Sequence, residues 1–62
     1  MIPADILNRA LRWAKKRNAE VFIFTDDEEP TGYGLATEFD ADTYYLGQAA
    51  VCVVQPDGEV VA

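Results

Sequence analysis

Two sets of side chains in this sequence are of a type that does chemistry. The first is a set of carboxylates: Asp26, Asp27, Glu28 and Glu29 are adjacent, and Glu38, Asp40 and Asp42 follow at alternate positions. The second is a single thiol, Cys52. Carboxylates can move protons, hold hard cations, or attract a cationic partner. General acid–base work at neutral pH usually enlists histidine, and the chain has none. A cysteine nucleophile needs a nearby base or a positive environment. Cys52 stands instead within Ala50-Val51-Cys52-Val53-Val54, and reads as a small buried hydrophobe. Gly32-Tyr33-Gly34 lacks both the Lys and the following helix of a phosphate-cradling loop. A chain of 62 residues also has little room for a substrate cleft of about 300 Å³ or more. The expectation is a protein that is not an enzyme.

Metal binding is the next chemistry open to the acids. Asp40-Ala41-Asp42 matches the first two positions of a calcium loop. Tyr44, Tyr45 and Leu46 then occupy the stretch where further oxygen ligands and a glycine belong. With one cysteine and no histidine, neither a Cys/His zinc site nor an intrachain disulfide can form. No metal or cofactor is expected.

Charge distribution leaves binding as the main candidate. The net charge is −6, but the two signs are segregated. Arg9, Arg12, Lys15, Lys16 and Arg17 all fall within the first seventeen residues, where Asp5 is the only acid. From Asn18 to Ala62 there are ten acids and no base. Ordinary surfaces intersperse the signs, because like charges repel and destabilise the compact state. A solvated acidic face also keeps a small protein soluble, so charge alone does not establish a site. The complete absence of bases over forty-five residues points to a basic partner that relieves the repulsion. Tyr33, Tyr44 and Tyr45 lie among the acids, and tyrosine suits an interface as well as a half-buried strand. The cations of the first segment read as the polar face of a helix, and the net charge repels phosphate at long range, so direct nucleic-acid binding is not expected.

The elements that position these residues follow from periodicity. Pro3 to Arg17 predicts an amphipathic helix, with Ile2, Ile6, Leu7, Ala10, Leu11, Trp13 and Ala14 on one arc. Pro3 suits the first turn, the terminal cations suit the dipole, and Asn18 suits a left-handed stop. Val21-Phe22-Ile23-Phe24 predicts a central strand, and Asp26 to Gly32 a loop. Tyr33 to Phe39 predicts a second strand. For Asp40 to Gly47 two readings stand: a short helical turn capped by Asp40, or a continuation of the strand through Asp42. In the second, Glu38, Asp40 and Asp42 share one face at intervals of roughly 6.8 Å. Ala49 to Val54 predicts a strand, Gln55 to Glu59 a hairpin turn, and Glu59 to Ala62 the returning strand.

The expected fold is α+β in a single domain, residues 1–62. One N-terminal helix packs on a three- or four-stranded, mainly antiparallel sheet in the order α-β-β-β-β. Its core draws on the helix, on Phe22/Phe24 or Val21/Ile23, and on Val51, Val53 and Val60. Such a short chain buries only about 60% of its unfolded surface, so its core is marginal. No apolar run approaches the roughly 18 residues of a membrane span. The stretch Met1-Ile2-Pro3-Ala4-Asp5 shows neither the basic nor the apolar region of a secretion signal. With the unpaired thiol, the expectation is a cytoplasmic protein without membrane contact.

In size and charge the chain resembles the small acidic phage-encoded inhibitors of the anti-CRISPR, DNA-mimicking kind. The likeness is one of general character over the whole chain and involves no shared motif. It implies a cytoplasmic protein that occupies the nucleic-acid-binding surface of a host defence complex. Duplex DNA carries about one charge per 1.7 Å of axis, so a length of about 30 Å presents on the order of nine charges to a bound protein. The ten downstream acids are comparable in number. The expected function is therefore a protein-binding inhibitor presenting Asp26, Asp27, Glu28, Glu29, Glu38, Asp40 and Asp42 to a basic, nucleic-acid-binding protein. Alternatives are a structural or self-associating module, or an antitoxin-like subunit of a larger complex. The expected state is a monomer or a weak homodimer.

Overall fold

Helix α1 (Ala4–Arg17) forms where the periodicity places it, with Pro3 one position ahead of its first turn. The Pro3 carbonyl accepts the N–H groups of Ile6 and Leu7 at 3.1 and 3.2 Å. Asn18 ends the helix in the left-handed region, at φ 50° and ψ 47°. Asp5 in the first turn and Lys15, Lys16 and Arg17 in the last complement the helix dipole. The computed structural model describes residues 2–62; Met1, part of the N-terminal stretch considered above, lies outside them.

Four strands follow: β1 (Val21–Thr25), β2 (Tyr33–Ala36), β3 (Cys52–Val54) and β4 (Val60–Val61). They lie in the order β2-β1-β3-β4, with every neighbouring pair antiparallel. The fold is thus α+β, an N-terminal helix and an open antiparallel sheet. Because β2 and β3 both oppose β1, they run parallel to each other, and the chain joining them must cross β1. That crossing carries a second helix, α2 (Glu38–Tyr44).

Helix α2 corrects two expectations. The strand from Tyr33 ends at Ala36 and reaches neither Phe39 nor Asp42, and the order is α-β-β-α-β-β. The residue ahead of the first turn is Thr37, not Asp40. Thr37 is extended, with φ −77° and ψ 173°, and its carbonyl accepts the Ala41 N–H at 2.8 Å. Glu38 and Asp40 then sit in the first helical turn, where the positive end of the dipole favours them. β3 and β4 are also shorter than the segments Ala49 to Val54 and Glu59 to Ala62.

The two faces of the sheet have different covers. Val21 and Ile23 pair across the strands with Val54 and Cys52, and all four are buried with Ile6, Ala10 and Ala14 of α1. Two alanines at the contact let the helix backbone lie close to the strands. Leu7, Leu11, Trp13, Tyr33 and Leu35 pack around this cluster. Phe22 and Phe24 alternate to the opposite face. Of the two pairs considered for the core, Val21/Ile23 meets the helix. The valine set is a correction, because the inward residues of β3 are Cys52 and Val54. Val53 faces the other way, Val51 precedes the strand, and Val60 is 51% exposed on the edge. Cys52 is buried as expected, and burial pushes its thiol pKa up. The hairpin turn forms as expected, with Gly58 at φ 98° and Gln55 N–H donating to the Glu59 carbonyl at 2.8 Å.

Replacing Ile23 by Ala should cost about 2–5 kcal/mol, a large share of the stability of so small a domain. Val60→Ala should stay within about 0.5 kcal/mol. Urea unfolding of both variants checks this; comparable losses would place the inward face of the sheet wrongly.

Candidate functional site

The acidic loop between β1 and β2 is built around Asp26. Its backbone N–H donates to the Gly32 carbonyl at 2.9 Å, and its carbonyl accepts the Glu29 N–H at 3.1 Å. Its carboxylate takes on two more duties. Oδ1 accepts the Glu28 N–H at 3.0 Å, while Oδ2 accepts the Tyr45 hydroxyl at 2.6 Å. Gly32, at φ 83°, supplies the left-handed step that returns the chain into β2. This leaves Asp27, Glu28 and Glu29 exposed at the tip.

Tyr45 fixes where α2 ends. Its ring stacks on Phe24, with centroids 4.4 Å apart and planes 5° from parallel. The phenol end lies over Gly34, which pairs with Phe24 across β1 and β2. A Cβ at Gly34 would overlap the Tyr45 hydroxyl and lie 2.9 Å from Cζ, so only glycine leaves room for the ring. Gln48, just beyond, donates from Nε2 to the Thr25 carbonyl at 2.9 Å and to its Oγ1 at 3.2 Å. The crossover is thus pinned at two points along the end of β1.

The hydrogen bond to Asp26 pushes the Tyr45 hydroxyl pKa from its ordinary 10.0 up to about 12. Burial and the negative charges of Asp26, Glu29 and Glu28 add to the effect. The sign is that of a neutral donor beside an anion: losing the proton breaks the bond and creates a like-charge pair.

Pinning the crossover divides the seven acids considered above. Asp26, Asp27, Glu28, Glu29 and Asp40 line one groove of about 720 Å³, together with Tyr44, Tyr45 and Gln48. Glu38 and Asp42 line a different one of about 340 Å³, against Phe22, Phe24 and Leu46. Helical geometry is the reason. At about 100° per residue, Asp40 lies roughly 160° around the axis from each of Glu38 and Asp42, while those two are about 40° apart. The single face of three evenly spaced carboxylates, drawn for an extended strand, does not exist. Asp40 is further drawn inward by the Thr37 hydroxyl, 3.5 Å from its Oδ2. Among the described residues, no three His, Cys, Asp or Glu side chains gather closely enough to hold a metal ion.

Tyr45 and Gln48 were not among the residues singled out from sequence as positioning the acids. One signal was available: an isolated glycine inside a strand marks a close approach, and Gly34 is such a residue. Its contact lies eleven positions away on a segment whose own structure was ambiguous, so the glycine did not identify Tyr45.

Gly34→Ala should displace Tyr45 and destabilise the fold by about 1–3 kcal/mol, measured by urea unfolding. In an alkaline titration, the difference in phenolate absorbance between the native chain and Tyr45→Phe should have its midpoint near 12. Because the folded pKa is raised, the bond's contribution to stability is complete below pH 10 and is lost as pH rises through about 12. A midpoint near 10.0 would mean that the hydroxyl is not held by Asp26.

Comparison with protein-family models, curated proteins and solved structures yields no match, and the site rests on its own geometry.

Proposed function

We propose that this protein acts by binding, not by catalysis, and that it presents its carboxylates to a basic surface of a nucleic-acid-binding protein and blocks that surface. The observation that carries this is the meeting of two acidic segments, Asp26 to Glu29 and α2, along a stretch of chain that contains no base. The domain measures 27 × 23 × 18 Å. A duplex segment of about 27 Å would present roughly eight phosphates to one side, of the same order as the five acids that line the shared groove. The five cations all lie on α1; Arg9 and Arg12 border a groove with Glu29, while the groove that joins the two acidic segments is lined by no base.

The mechanism is competition. Long-range attraction speeds the encounter with a positive surface, and occupation of that surface excludes nucleic acid. Asp27 and Glu28 carry the charge most freely, since both are exposed and neither borders the groove that Glu29 shares with Arg9 and Arg12. Asp26 contributes its charge while its oxygens serve the fold. Phe39 and Tyr44, 74% and 76% exposed on α2, supply apolar contact between the acids. The reading accords with an anti-CRISPR or other DNA-mimicking inhibitor.

The test is affinity capture from host lysate at low and high salt, with duplex DNA as competitor. Proteins held at low salt should be released both by salt and by DNA. The variant Asp27→Lys/Glu28→Lys/Glu29→Lys/Asp40→Lys should lose them by at least a hundredfold. Capture that survives both salt and the charge reversal contradicts the proposal.

A further inference from the structure

The sheet is covered diagonally. Helix α1 lies over β1 and β3 on one face, while α2 and Tyr45 lie over β1 and β2 on the other. Among the described residues, the β3–β4 half of that second face carries no helix. Its register sets Phe22, Val53 and Val61 directly side by side across three strands. Val61 is 44% exposed, and Leu46, at the end of the crossover, is 81% exposed. Leu46 and Ala50 border a cleft of about 340 Å³ against Phe22 and Phe24, and Glu38 and Asp42 form its rim on α2. Glu38 and Asp42 are exposed, one helical turn apart on the same side of α2.

We propose that this half-face is the anchor site for the basic partner: it takes an aliphatic or aromatic side chain presented on a segment whose neighbouring Lys or Arg residues meet Glu38 and Asp42. The inference rests on the acidic-surface function proposed above and specifies the chemistry of the partner's contacting segment. Two observations select this occupant. The cleft is apolar in its floor and acidic at its rim, and a basic amphipathic helix is the complement of that pattern. A second copy of the chain fits less well, since each copy carries −6 and the half-face, drawn from the base-free residues, would bring four carboxylates together without a cation. A volume near 340 Å³ suits one or two side chains and lies at the low end for a small-molecule pocket.

The test uses the full chain and two fluorescein-labelled synthetic 18-residue peptides of identical Leu, Lys and Arg composition. One carries its leucines at helical spacing as a single stripe; in the other the order is scrambled. Fluorescence anisotropy in about 0.15 M salt and amide chemical shifts of the isotope-labelled chain are read together. The stripe peptide should bind about ten- to a hundredfold more tightly, the range expected for burying one leucine-sized anchor. Its shifts should centre on Phe22, Leu46, Ala50 and Val53. Leu46→Ser and Val61→Ser, both at exposed positions, should remove that advantage while circular dichroism stays native. Equal affinity for the two peptides, with shifts confined to Asp27–Glu29, overturns the anchor site and leaves the acidic surface standing. Binding of neither peptide overturns both. Shifts at Phe22 and Val53 that grow with protein concentration alone, and strengthen with salt, overturn the proposal in favour of a second copy.

Discussion

The arrangement of the acidic segments depends on a contact between residues distant in sequence: the Tyr45 ring, flat on Phe24 and over Gly34, with its hydroxyl on Asp26. Each part of that contact constrains another. Glycine at position 34 leaves the space, Phe24 supplies the stacking partner, and Asp26 turns the loop so that a carboxylate oxygen reaches the phenol. Without it, the side-chain hydrogen bonds described between the crossover and the end of β1 reduce to those of Gln48 with Thr25. With it, α2 lies beside the acidic loop, and carboxylates from two segments share a groove. The same residue that closes the loop, Asp26, also holds the helix. The hydrogen bond therefore couples the shape of the loop to the place of α2.

Charge is the second constraint, and it works against the fold. A domain with ten acids and no base over its last forty-five residues repels itself. The repulsion is distributed by geometry, since Glu38 and Asp42 turn to one side of α2 and Asp40 to the other. Exposed ion pairs contribute only about 0.2–1 kcal/mol each, so carboxylates alone set encounter rate and orientation better than affinity. A tight complex also needs apolar burial. Phe39, Tyr44 and Leu46 stand exposed beside those acids, which gives the surface both kinds of contact.

The sequence revealed the parts whose signals are local. Helix α1 was legible because Ile6, Ala10 and Ala14 repeat at helical spacing between Pro3 and Asn18, and all three are buried. The strand at Val21 and the turn at Pro56-Asp57-Gly58 were legible for the same kind of reason. Helix α2 was legible only as one of two readings for Asp40 to Gly47, because Phe39 and Tyr44 point to solvent, leaving little inward stripe for periodicity to detect. The inward set of β3 was misassigned by one residue. Ala50 to Val54 is apolar at every position, so alternation cannot choose between Val51/Val53 and Cys52/Val54. Only pairing with Val21 and Ile23 decides it. The acids were legible as residues, but their division between two grooves follows from α2 and could not be seen before it.

The measurement that bears most directly on the placement of α2 is a nuclear Overhauser spectrum of the chain in solution. The Tyr45 ring protons should show cross-peaks to the Gly34 α-protons and to the Phe24 ring, and ring current should move the Gly34 α-protons upfield. Gly34 shifts at random-coil positions, with no cross-peak to Tyr45, would detach α2 from the sheet and separate the two acidic segments on which the account depends.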